Sequence, residues 1–256
     1  MLSEQFVVRD FMSKQLVTAY SDSNVSKAVG LMVEHNIGSV IVQDQEGPLG
    51  VFTERDLLSK VLRRGKKLEE PILLEVMTRS FNVLSPDANL IDAAKIMTEK
   101  KGRLMVFDDG GIVGIVTATD IVRETFRFAR AFEFSNAYSP QVFVEGPKVR
   151  MDHIIRLMDE KRIGSVLISE GKMPIAIFTE RDLLKAVQSP DFRLDARVGQ
   201  YSKGPVITAE AGIDGLKAAA IMGEHHIKRL PLVKSGEIVG IVTARDLVEA
   251  LATSVW

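Results

Sequence analysis

The chain of 256 residues contains no cysteine. That excludes disulfides and thiolate metal sites, and it is compatible with a reducing compartment. Histidine is almost as scarce, with His35, His153, His225 and His226 the only four. The adjacent pair His225-His226 lacks metal-ligand spacing and no H-E-x-x-H occurs, so no metal site is expected. G-x-S-x-G and Walker A sequences are missing too, and nothing resembles a nucleophile with its base, so no catalytic residue is expected. Neither sign of charge is in excess: 33 basic and 34 acidic residues leave a net charge of −1. Nucleic acid and anionic membranes therefore lack an electrostatic attraction to this chain. No apolar run approaches the roughly 18 residues of a membrane span. The start, Met1-Leu2-Ser3-Glu4-Gln5-Phe6, has neither a basic n-region nor an apolar h-region. The expectation is a cytoplasmic globular protein, with 46% hydrophobic and 26% charged residues.

What the sequence does have is repetition. Gly50-Val51-Phe52-Thr53-Glu54-Arg55-Asp56-Leu57 returns as Gly114-Ile115-Val116-Thr117-Ala118-Thr119-Asp120-Ile121. It returns again as Ala176-Ile177-Phe178-Thr179-Glu180-Arg181-Asp182-Leu183 and as Gly240-Ile241-Val242-Thr243-Ala244-Arg245-Asp246-Leu247. Each copy reads as an apolar strand, then Thr-x-x-Asp, then a helix. One copy alone is a capping box: the Thr caps orphan N–H groups and the acid bonds back. The spacing makes the set more than a cap. Thr53 to Thr117 and Thr179 to Thr243 are each 64 residues, and Thr53 to Thr179 is 126. Arg55, Arg181 and Arg245 also sit in the first helical turn, where a cation opposes the helix dipole. Two explanations stay open. The arginines serve a phosphate held at the helix N-terminus, or Glu54, Asp56, Glu180, Asp182 and Asp246 simply neutralise them.

The periodicity around each copy predicts strand, helix, strand, strand, helix. In the first unit these are Val17–Ala19, a helix opened by Ser21–Asn24 with Val25, Ala28, Val29 and Met32 on one face, Ser39–Gln43, Leu49–Phe52, and a helix from Thr53. The second has Asn82–Leu84, a helix after Ser85-Pro86-Asp87, then Arg103–Phe107 and Ile112–Val116 around the turn Asp108–Gly111. Its last helix is expected to run on through Glu124–Phe134, with Phe126, Phe128, Phe132 and Phe134 as packing residues. The third and fourth open with strands at Val142–Val144 and Val206–Thr208. Gly38 and Gly164 read as helix C-caps. Repeat boundaries are expected at 1–66, 67–130, 131–192 and 193–256, in two halves, 1–130 and 131–256. A unit of about 60 residues can bury only part of its surface and would be marginal alone, so the expected stable object is a pair, duplicated whole. A duplicated pair can pack on its own copy within the chain or across a homodimer.

With this order of elements and G-h-h-T-x-x-D closing each hairpin, the chain resembles the CBS-domain family over nearly its whole length. The resemblance implies an α/β (α+β) fold of tandem CBS domains paired into two Bateman modules. It also implies clefts between paired units for adenosine-containing ligands: AMP, ADP, ATP or S-adenosylmethionine. On that resemblance Asp56, Asp120, Asp182 and Asp246 would accept hydrogen bonds from ribose hydroxyls, as an ionised carboxylate can. Thr53, Thr117, Thr179 and Thr243 would donate to a phosphate, and Arg55, Arg181 and Arg245 would add charge to it. Arg103 and Arg229 would reach phosphate from the opposite side. Thr18, Ala19, Val83, Ser85, Ile207 and Ala209 would flank adenine. Thr119 replaces Arg in the second repeat, Ala176 replaces Gly in the third, and Glu145-Gly146-Pro147-Lys148 replaces the usual helix opening there. The implied function is a non-catalytic regulator that passes a nucleotide signal to an unidentified protein. A scaffold with empty clefts, docking through the Phe-rich connector, is the rival. An enzyme or nucleic-acid regulator built on CBS units is disfavoured by the absences above.

Overall fold

The computed structural model describes residues 6–100, 102–128, 138–171 and 173–253. Each repeat folds as strand, helix, strand, strand, helix. The first has β1 (Thr18–Tyr20), a helix at Val25–Glu34, β2 (Ser39–Gln43), β3 (Pro48–Thr53) and helical residues 54–64. The second has β4 (Asn82–Leu84), a helix at Leu90–Lys100, β5 (Leu104–Asp108), β6 (Gly111–Val116) and a helix at Ala118–Phe128. The third has β7 (Val144–Glu145), Met151–Glu160, β8 (Ser165–Ser169), β9 (Pro174–Thr179) and Glu180–Ala186. The fourth has β10 (Ala209–Glu210), Gly215–Glu224, β11 (Arg229–Lys234), β12 (Glu237–Thr243) and Ala244–Thr253. In every repeat the first strand pairs parallel with the second, and the second pairs antiparallel with the third. The rest of the Phe-rich connector, with Phe132 and Phe134, lies outside the described residues.

Two expectations are corrected. The opening strands of the third and fourth repeats fall later than the apolar trios predict. Parallel pairing sets their position, through Val144 opposite Leu167 and Ala209 opposite Leu232. Gly38 and Gly164 are not the helix caps either. The left-handed residues are Asn36 (φ 51°), Arg162 (φ 52°) and His226 (φ 53°). Around each, the chain closes a Schellman motif: Ile37, Ile163 and Ile227 amides donate to the carbonyls of Met32, Met158 and Met222. The isoleucine packing that accompanies the motif does the work a glycine would otherwise make easier.

The repeats cluster into two compact units. One gathers the described residues of Val17–Ser80 and Phe143–Val206, the first and third repeats. The other gathers those of Met1–Leu16, Phe81–Val142 and Ile207–Trp256, the second and fourth. Within each unit the packing is crosswise. Met151–Glu160 packs on helical residues 57–64, and Val25–Glu34 on Glu180–Ala186. In the other unit Ala244–Thr253 packs on Leu90–Lys100, and Ala118–Phe128 on Gly215–Glu224. The apolar stripes expected from periodicity make these seams: Val25, Ala28, Val29 and Met32 are wholly buried, as are Met151, Ile154 and Met158. Burying such a side chain contributes roughly 1.5–3 kcal/mol, so exposing one repeat's helices would forfeit much of its stability.

A segment from elsewhere in the chain crosses the third strand of each repeat. Thr78 exchanges both backbone hydrogen bonds with Val51, Ser13 with Ile115, Lys203 with Ile177, and Ser139 with Ile241. The segment ahead of the first repeat thus serves the second, and the linker after the first repeat serves the first. The crossing needs a residue without Cβ. A Cβ at Gly50 would strike the Thr78 carbonyl. In the third repeat that glycine has become Ala176, and the crossing segment supplies Gly204 instead, whose Cβ would strike the Ile175 carbonyl.

Candidate functional site

Each Thr-x-x-Asp closes the junction between a third strand and the helix after it. The inner carboxylate oxygen is used alike in all four. Oδ2 of Asp56 accepts from the Thr53 amide at 2.9 Å and its hydroxyl at 2.7 Å. The matching distances are 2.9 and 2.7 Å for Thr117 to Asp120, 3.0 and 2.6 Å for Thr179 to Asp182, and 2.7 and 2.8 Å for Thr243 to Asp246. The threonine hydroxyl proton is therefore spent on its own aspartate. Most first-turn amides are taken as well: those of Glu54, Glu180 and Ala244 donate to the Gly38, Gly164 and Lys228 carbonyls, and those of Asp56, Asp182 and Asp246 to the cap threonines. The arginine amide between them is the local anion donor at these three caps.

The first-turn arginines divide into two kinds. Arg55 donates to the carbonyls of Met158 (3.1 Å) and Ile163 (2.8 Å) and pairs with Glu180 at 2.7 Å. Arg181 answers it: it donates to the Asn36 carbonyl (2.8 Å) and side chain (2.9 Å) and pairs with Glu54. Each guanidinium thus sits at the C-terminal end of the other repeat's helix, where the dipole favours a cation. Their unfavourable place on their own helices is offset by the neighbour, and their donors go to protein rather than to a phosphate. Sequence carried this signal: Glu precedes Arg in the first and third copies, whereas Ala118 and Ala244 stand there in the other two. Arg245 has no such glutamate. Its side chain is exposed, and no hydrogen bond or ion pair is made by it among the described residues.

Strand register brings a second arginine to the fourth cap. Arg229 lies directly across from Thr243. Its counterparts are Ser39 across from Thr53 and Ser165 across from Thr179. In the second repeat Arg103 stands one residue before Leu104, which pairs with Val116, the residue before Thr117. The second and fourth repeats therefore carry an arginine beside the cap, and the first and third carry a serine.

The outer carboxylate oxygens also differ. Asp120 Oδ1 accepts from the exposed Arg123 at 3.0 Å. Asp182 Oδ1 lies 3.7 Å from Lys203 Nζ. Asp56 Oδ1 accepts from Thr78 Oγ1 at 2.8 Å and is 2.7 Å from Lys60 Nζ. Asp246 Oδ1 has no protein donor among the described residues. The residues expected beside adenine fall on or next to the first strands. Ala19 is buried, Thr18 and Val83 are exposed, and Ile207 and Ala209 are half-buried. Ser85 is exposed and accepts from the Asp87 amide. Among the described residues no cluster of His, Asp and Glu could hold a metal ion, and no helix is long and apolar enough to cross a membrane.

Known proteins share this design. The family model described as CBS domain matches residues 8–63, 73–126, 137–189 and 198–253. Protein MJ1404 of Methanocaldococcus jannaschii is 26% identical over 266 residues, covering 96% of this chain and 62% of its own length. Protein MK0525 of Methanopyrus kandleri is 34% identical over 119 residues, covering 45% of this chain and 61% of its own. The chain therefore spans less than two thirds of the length of either relative. In fold it is similar to the crystal structure of protein MJ1225 from Methanocaldococcus jannaschii, with a TM-score of 0.82 and 22% identity, covering 95% of this chain and 99% of that one. Four matched segments, each folded as the same five elements around its Thr-x-x-Asp, make the chain a member of the CBS domain family.

Proposed function

We propose that the chain is a non-catalytic regulatory protein that binds adenine nucleotides at its Thr-x-x-Asp junctions, with the fourth repeat the best-equipped site. The observation that carries this reading is the asymmetry of the fourth junction. Asp246 is fixed through one oxygen and offers the other, so it can accept from a ribose diol without first losing a protein partner. Arg245 and Arg229 flank it, and the helix Ala244–Thr253 begins there, which suits a phosphate. The second junction is similar but weaker, with Arg103 and Arg123 in place of that pair. Adenine is the base that the family resemblance implies, and Ile207 and Ala209 offer it an apolar flank. AMP, ADP and ATP are the favoured ligands, and S-adenosylmethionine, which has the ribose and no phosphate, is the alternative.

Binding acts on output only through a difference in affinity between two arrangements of the protein. The signal passes to a partner protein whose nature lies outside this chain. Calorimetric titration of nucleotide-free protein with AMP, ADP, ATP and S-adenosylmethionine tests the reading. Saturable binding that Asp246→Asn and Arg245→Met both weaken supports it. Tight binding untouched by either change, or no binding at all, refutes it and leaves a scaffold held together by its caps.

A further inference from the structure

The first repeat has the same motif as the others, but its carboxylate is already occupied from within. Lys60 Nζ lies 2.7 Å from Asp56 Oδ1, and it also donates to the Met77 carbonyl at 3.0 Å and to Thr78 Oγ1 at 3.1 Å. Three acceptors meet the three protons of an ammonium group. Thr78 in turn donates to the same Asp56 oxygen at 2.8 Å. The Asp56 side chain is 4% exposed, so this cluster leaves little of it to solvent. A hydroxyl donor and a cation at a carboxylate are the chemistry that a nucleoside diol and its surroundings would otherwise supply.

Two local features build the cluster, and both belong to this repeat. Thr78 is the residue that crosses β3. The helix after Thr53 then opens into one π-type turn, in which the Leu62 amide reaches back to the Leu57 carbonyl. Such turns re-aim side chains and are frequent at functional sites. Lys60 lies in it, four residues after Asp56. The residues four after Asp120, Asp182 and Asp246 are Glu124, Ala186 and Ala250. In the third repeat the crossing residue is Lys203, whose ammonium stays 3.7 Å from Asp182.

We infer that Lys60 and Thr78 close the first repeat to nucleosides, making it a self-occupied site. This rests on the nucleotide reading of the other repeats. The chain then holds one nucleotide fewer than it would if the first junction were open, and the closed junction gives the first repeat a fixed conformation whatever the nucleotide level.

The test counts bound nucleotide. Wild type, Lys60→Gln and the double variant Lys60→Met/Thr78→Val are titrated with AMP and with ATP, and folding is checked by circular dichroism and thermal midpoint. Lys60→Gln removes the charge and shortens the side chain by only one atom at a partly exposed position, so it remains informative if the double variant fails to fold. One additional mole of nucleotide per mole of chain in a folded variant supports the inference. An unchanged count in folded variants overturns it. Asp246→Asn, measured alongside, separates the two failures. If it weakens or removes binding while the Lys60 variants gain nothing, the lock is wrong and the nucleotide reading stands. If no protein in the series binds nucleotide, both fall.

Discussion

Replacing Arg55 by methionine should damage the fold and spare the ligand, the reverse of what its place in the motif suggests. The change removes two bonds from a charged donor to the carbonyls of Met158 and Ile163, together with the pair to Glu180. A hydrogen bond to a charged group contributes about 1.5–3 kcal/mol, and breaking a fully buried ion pair costs about 3–5 kcal/mol. The Arg55 and Glu180 side chains are 36% and 13% exposed, so the pair is only partly desolvated. Screening by solvent moves the expected cost to the lower end, about 2 kcal/mol. Urea unfolding of Arg55→Met, Glu180→Gln and the double variant measures it. The cycle should give a coupling energy of about 1 kcal/mol, since the two groups touch. Arg245→Met, at an exposed position without a side-chain partner among the described residues, should cost no more than about 0.5 kcal/mol. If Arg55→Met and Arg245→Met proved equally mild, or if Arg55→Met abolished nucleotide binding while leaving stability intact, the crosswise pairing would not be what these arginines are for.

Other outcomes follow from the same geometry. Asp246→Ala and Asp120→Ala should each weaken nucleotide binding about tenfold or more, the worth of one hydrogen bond to a charged group, while loss of the helix-start acceptor costs about 0.5–1 kcal/mol of stability; calorimetry and thermal melts separate the two effects. Gly50→Ala and Gly204→Ala should each destabilise by about 1–3 kcal/mol, because the added methyl meets a carbonyl across the crossing, of Thr78 or of Ile175; urea midpoints read this directly. The Lys217 amide donates to Asp214 at 2.9 Å and, with the Lys217 side chain, holds the Asp214 carboxyl below its ordinary range. A carboxyl depressed in the folded state stabilises above its unfolded pKa and loses that contribution as pH falls through the folded value. Asp214→Asn should therefore flatten the acid side of a stability–pH profile, and an unchanged profile would remove Asp214 from the account.

The repeats, their order of elements and the four caps were legible in the sequence because each rests on local rules: periodicity, turn residues and Thr-x-x-Asp spacing. What eluded local reading depends on residues far apart in the chain. No window around Arg55 contains Ile163, and nothing near Gly50 announces Thr78. The exchange of Gly50 and Thr78 for Ala176 and Gly204 looks like a lost motif position until the crossing strand is in view. Some of the missing information was present in another form. Glu54-Arg55 and Glu180-Arg181 occur together, and Arg103 and Arg229 replace the serines Ser39 and Ser165 in the other two repeats. These paired differences separate the copies whose first-turn arginines pack across repeats from the copies that the proposed function assigns to an anion.

The crossing segments bear on how such a chain can be synthesised and cut. Ser13 is translated about a hundred residues before its partner Ile115. Until then the leader has no strand to join, although the whole first repeat has been completed meanwhile. Contacts of such long sequence separation slow folding. A fragment beginning at Val17 would keep the first repeat's own clasp at Thr78 but would leave the β6 edge bare, and an unclasped edge invites pairing with a second molecule. The natural cutting points of this architecture therefore lie ahead of a leader, not at the start of the repeat that follows it. A gene duplication that took two repeats without the residues before them would have inherited an open seam.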